Sequence, residues 1–137
     1  MKRSLSISLL LGLTAMITGC GIKTNQQVPQ VNVANELAVM SRLRAIADAE
    51  AFYFAESGGS YATLDELVEK GYVLDPSGGK LDGYRFDVRV RLDGFEATAV
   101  PKKFGITGKR SFYIDESKVM RAADKGGDPA TASDPQA

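Results

Sequence analysis

The chain has 137 residues, 17 basic and 17 acidic side chains, one Cys, no His and no Trp. Without His, the commonest general base and the commonest transition-metal ligand are missing, which excludes His-based triads and most zinc sites. One Cys forbids an internal disulfide, and a formal charge of zero argues against a nucleic-acid partner, whose binders carry a basic face.

The chain opens on Met1-Lys2-Arg3, a short positive region. Leu5 to Gly19 is uncharged and mostly apolar. It is shorter than the ~20 residues of a bilayer-spanning helix and fits the roughly 7–15 residues of a signal h-region. It ends in Ile17-Thr18-Gly19-Cys20. That order of an aliphatic residue, a small or polar one, Gly and then Cys resembles the lipobox of bacterial lipoproteins. The resemblance implies a signal peptide at 1–19, cleaved so that Cys20 becomes the acylated N-terminus. Several acyl chains together would hold the protein stably on a membrane. It places the protein in the cell envelope, facing the periplasm. Gly21 after Cys20, in place of Asp, favours the outer membrane over the inner. Cleavage would remove Lys2 and Arg3, leaving 15 basic and 17 acidic side chains.

Residues 20–33 read as a lipidated tether, polar and carrying Pro29. Residues 34–56 carry Leu37, Met40, Leu43, Ala47, Ala51 and Phe54 at three- and four-residue spacing, with Ile46 beside them. This predicts a long amphipathic helix, ended by Ser57-Gly58-Gly59-Ser60. Thr63-Leu64-Asp65-Glu66 is a capping-box pattern opening a second, short helix over 64–70, with Gly71 at its C′ position. Asp65, Glu66 and Glu69 are explained by that helix start, where negative charge suits the dipole. Tyr53, Tyr61 and Tyr72 read as the edge of the core. Asp75 to Gly79 is loop.

From Tyr84 the period becomes two. Tyr84, Phe86, Val88 and Val90 alternate with Arg85, Asp87, Arg89 and Arg91, as in a half-buried strand. Asp93-Gly94 signals a hairpin, and Phe95, Ala97 and Ala99 mark the return strand up to Pro101. Residues 102–109 form a Gly-containing loop. Ser111–Ile114 and Val119–Ala122 read as a third and a fourth strand. Residues 124–137 have no apolar period and read as a disordered tail. The fold class is therefore α+β: one domain over 34–123 in which the long helix packs on a four-stranded antiparallel sheet, with one short extra helix.

The segments IADAEAFYFAESG, YATLDELVEKGYV, GYRFDVRV and GFEATAVPKKFGITGKRSFYIDES, in this order, resemble the globular part of type IV pilins and type II secretion pseudopilins. Short pilin-like proteins are the nearer match, and Lys118 stands where they often have Gly. The resemblance covers about residues 36–124 and implies the same helix-on-sheet fold. The chain departs from true pilins in lacking a Gly-Phe prepilin cleavage site and the long apolar helix half with its single Glu. It is thus not expected to polymerise through a pilin-type core.

Asp115, Glu116 and Asp124 are acidic residues near the position where some pseudopilins bind calcium. They lack the Asp-x-Asp-x-Asp-Gly pattern and read as a solvated turn and tail. Arg85, Arg89 and Arg91 read as a solvated sheet face. No catalytic residue, cofactor site, metal site or small-molecule substrate is expected. The expected partners are the membrane, through Cys20, and pilus or secretion-system proteins. The alternative is a free-standing envelope lipoprotein that binds a ligand or protein unrelated to filaments. The exposed sheet face and the 101–110 loop are the expected contact surfaces.

Overall fold

The computed structural model describes residues 27–76 and 83–137, with side chains of the first helix from residue 33 onward. The signal, Cys20 and the Ser77–Gly79 part of the expected loop lie outside the described residues. Helix α1 spans Gln27–Ser57, 31 residues and about 46 Å at the helical rise. It starts well before residue 34, so 27–33, expected in the tether, are helical. Pro29 is compatible with this because it falls in the first turn, where its missing N–H has no helical partner to lose. Gly58 and Gly59 end the helix with φ of +78° and +105°.

The buried residues of α1 are Glu36, Val39, Leu43, Ile46, Ala47, Ala49 and Glu50. They share Leu43, Ile46 and Ala47 with the expected stripe, but Leu37 is 59% exposed, Phe54 40% exposed, and Ala51 also faces solvent. The difference has one cause. Two carboxylates occupy the inner face, and a count of apolar residues alone rotates the stripe away from them.

Helix α2 is Leu64–Glu69, opened by the capping box. The Thr63 hydroxyl accepts from Glu66 N at 3.3 Å, and Glu66 Oε2 accepts from Thr63 N at 2.8 Å. Gly71 follows with φ +77°. Four strands then form an antiparallel meander in chain order: β1 Tyr84–Val90, β2 Phe95–Pro101, β3 Arg110–Asp115 and β4 Arg121–Asp124. The fourth strand starts after Met120, later than its apolar residues suggest, because Lys118 takes a left-handed φ of 60° and prolongs the turn. This is the conformation that a Gly adopts most easily.

Helix α1 packs across β2 and β3. The core lies between them, built from Val39, Leu43, Ile46 and Ala47 of the helix and from Phe86, Ala97, Ala99, Phe112 and Ile114 of the sheet. Small Ala97 and Ala99 at the centre of β2 let the helix approach; both are fully buried.

The segment 124–137 is not a disordered tail. It turns back and runs antiparallel along the free edge of β4, bridging Arg121 to Gln136. Ala122 N donates to Pro135 O, and Ala137 N to Met120 O, both at 3.0 Å. Asp134 gathers the segment by accepting from Thr131 N at 2.7 Å and pairing with Lys125 at 3.2 Å, while Arg121 donates to its carbonyl at 2.8 Å. Ala130 is buried. These bonds close short turns and pair an edge, so they leave no apolar period to read. Its Pro129–Thr131 stretch lies beside Val100 and Tyr113 on the outer sheet face, where both are buried. That face is not simply solvated.

Candidate functional site

The acidic residues singled out from the sequence do not converge. Asp115 ends β3, and its carboxylate accepts from Ser117 N at 3.0 Å and from the Tyr113 hydroxyl at 3.0 Å. Burial pushes its carboxyl up, but the Ser117 and Tyr113 bonds and the Arg121 charge outweigh this and hold it below the ordinary value. Glu116 turns the other way, and its Oε2 accepts from Phe95 N at 3.3 Å. Asp124 lies opposite Arg110, while Asp115 lies opposite Glu96, at the other end of the sheet. Among the described residues, no group of three or more Cys, Asp or Glu side chains could hold a metal ion.

Glu66 is held below the ordinary carboxyl range by the Thr63 backbone and side-chain bonds, in keeping with its capping role. The three tyrosines lie at the core edge. Tyr72 meets Tyr53 edge-on at 5.8 Å, and Tyr61 bridges Phe54 and Phe95 at 4.8 and 5.5 Å. On the outer face of β1, Arg89 pairs with Asp87 at 3.2 Å and Arg91 with Glu96 at 3.1 Å. Arg85 lines an open groove of about 300 Å³ with Thr98, Val100, Tyr113 and the returning segment Pro129–Thr131.

Two residues that sequence reasoning passed over organise the two ends of the domain. Glu36 sits near the start of α1 and is 8% exposed. Its Oε1 accepts from Lys109 N and Arg110 N at 3.3 and 3.2 Å, and its Oε2 pairs with Arg110 Nε at 2.9 Å. Asn35 donates to Thr107 O at 3.4 Å. The 101–110 loop is therefore tied to the first half of α1. Glu50 lies four turns further along the same face and is fully buried. Its Oε2 accepts from Ala62 N at 3.0 Å, which fixes the α1–α2 connection, while Oε1 has no partner among the described residues. Burial pushes this carboxyl up, opposed by the Ala62 bond and reinforced by the Glu66 charge. The available signal was position: Glu36 and Glu50 fall on the same stripe as Val39, Leu43 and Ile46.

The domain thus has two distinct ends. At one, the start of α1 meets the 101–110 loop. At the other, the end of α1 meets Tyr61, Phe95 and the 116–118 turn, where Lys118 reaches Asp48 at 2.6 Å. No helix of the described residues is long and apolar enough to cross a membrane.

No family model, curated protein or solved structure matches the chain.

Proposed function

We propose that this chain is a lipid-anchored protein of the bacterial envelope, held on a membrane by acylated Cys20 and facing the periplasm. Its pilin-like domain works by contact with a pilus, a secretion system or another envelope assembly, and not by catalysis. The single observation that carries this reading is the placement of α1. The helix begins at Gln27, seven residues after Cys20, and runs along the sheet to Ser57. Seven residues span at most about 25 Å. An acyl group at Cys20 would therefore hold the domain near the lipid by the start of α1 and point the 91–94 hairpin outward.

The helix-on-meander arrangement supports the pilin-like part of the reading. The carboxylates that stood out in the sequence serve the fold: Glu66 caps α2, Asp115 closes a turn and Glu116 holds the start of β2. The groove beside Arg85 favours a second reading, in which a free-standing lipoprotein binds a small polar ligand or a peptide there.

Affinity capture of the acylated protein from membranes tests the choice. Recovery of pilus or secretion components with the native protein, and their loss with Cys20→Ala, is the expected result. Repeated capture without any such component would contradict the filament-linked reading and leave the second.

A further inference from the structure

The end of the domain that carries the start of α1 exposes apolar side chains beside lysines. Phe104 is 45% and Ile106 68% exposed on the β2–β3 loop, and Val33 and Leu37 are 58% and 59% exposed, one turn apart on α1. The Asn35–Thr107 bond and the Glu36 clamp on Lys109 and Arg110 hold helix and loop together at this end. Lys102, Lys103 and Lys109 are exposed on the same loop. Glu36 is paired with Arg110, and Asp124 lies opposite Arg110 in the sheet register. Lys103 and Lys109 thus present exposed ammonium groups on the loop that carries Phe104 and Ile106.

The loop holds its own shape. Thr107 N and Ile106 N donate to Lys103 O at 2.9 and 3.0 Å, Lys103 N donates to the Thr107 hydroxyl at 3.1 Å, and Gly105 N donates to Gly108 O at 2.8 Å. Gly105 turns with φ +76°. These bonds leave the loop tip, Phe104 to Ile106, directed to solvent. The loop holds Ile106 largely and Phe104 partly in water, where their apolar surface is unfavourable.

We infer that this end docks on an anionic lipid surface, with Phe104 and Ile106 entering the headgroup boundary and Lys103 and Lys109 meeting the phosphates. Apolar tips flanked by snorkelling lysines are the pattern of interfacial insertion, and each lysine near an anionic leaflet adds attraction. The inference rests on the Cys20 anchor for its geometry: seven residues of chain bring lipid within reach of this end and not of the 91–94 hairpin. Tethering also turns docking into an intramolecular step at high effective concentration. The domain would then stand at a set angle on the membrane.

The absence of Trp provides the test. Ile106→Trp places a single indole at the proposed contact, and Leu92→Trp places one on the hairpin at the far end. The full-length protein, matured and purified from membranes, is mixed with vesicles of phosphatidylethanolamine and phosphatidylglycerol carrying brominated acyl chains. The same is done with phosphatidylcholine vesicles. Circular dichroism verifies that each variant keeps the native fold.

The expected result is a blue-shifted and quenched indole for Ile106→Trp in the anionic vesicles, less quenching in phosphatidylcholine, and none for Leu92→Trp. Changing Lys103 and Lys109 to Gln lowers the docked-to-undocked ratio by about fivefold per lysine. Vesicle-bound protein whose Ile106→Trp indole stays unquenched overturns the dock and keeps the anchor. Quenching in protein whose mass shows no acyl group keeps the dock and overturns the anchor. Equal quenching of the indoles at 92 and 106 overturns the stated orientation.

Discussion

At the scale of single residues, the buried carboxyl of Glu50 sets a pH dependence with a definite sign. Its folded-state pKa lies above the ordinary 4.5, chiefly because burial disfavours the charge. A carboxyl raised in this way contributes stability that is fully present below about pH 4.5 and is lost as pH rises through the folded value. Within that window, stability increases by up to about 1.4 kcal/mol for each pH unit of acidification. Glu50→Gln, which can still accept from Ala62 N, removes this slope. Urea titrations from pH 7 down to 4.5 check it, since the wild type gains stability relative to the variant as pH falls. Below that range the carboxyls held low, Glu66, Asp115 and Asp134, reverse the trend, because their contribution is lost on protonation.

Gly108 gives a second test at this scale. A Cβ there would overlap the Tyr84 hydroxyl, which donates to Arg110 O at 3.0 Å from a ring that is almost fully buried. The ring cannot swing aside into solvent. Gly108→Ala is therefore expected to cost about 1–3 kcal/mol, read as a lower urea midpoint with an unchanged m-value. Gly94 offers a contrast, because its added Cβ would meet only the far end of the exposed Glu116 side chain.

Among the elements, the returning C-terminal segment departs most from its sequence. It pairs along β4, and its Pro129–Thr131 stretch lies beside Val100 and Tyr113. Deleting residues 129–137 would free the β4 edge and expose part of those side chains. The expected cost is about 1–3 kcal/mol, or roughly 5–15 °C in Tm for a domain of this size. Hydrogen exchange gives a sharper readout: the Ala122 amide, bonded to Pro135 O in the intact chain, should lose its protection on deletion. Unchanged protection would mean that the segment does not hold the edge.

The strands were legible because Tyr84–Val90 and Phe95–Ala99 alternate cleanly, and each alternation decides which side chains meet the helix. The capping box at Thr63 was legible because its chemistry is local. The inner face of α1 was less so. Glu36 and Glu50 serve as clamps for loops distant in sequence, and nothing within the helix itself announces a partner 12 or 74 residues away. The C-terminal segment was hidden for the same reason. Asp134, Thr131 and Lys125 order it through hydrogen bonds, and composition reads such residues as solvated.

Over the whole molecule, the domain has two unlike ends, and the proposed anchor lies at the one where α1 starts. A lipid at Cys20, a short connection and a helix running along the sheet would present the far hairpin, with fully exposed Leu92, to the periplasm. The proposed lipid-facing end would carry Phe104, Ile106 and the exposed lysines. In the proposed reading, Cys20 would hold the domain in place without a pilin-type helical core.

The intact mass of the protein purified from membranes, with Cys20→Ala alongside, tests the proposed anchor. The native chain should begin at Cys20 and carry added acyl mass, and the Cys20→Ala chain should carry none. A native chain that retains residues 1–19, or that starts at Cys20 with no acyl mass, would rule the anchor out.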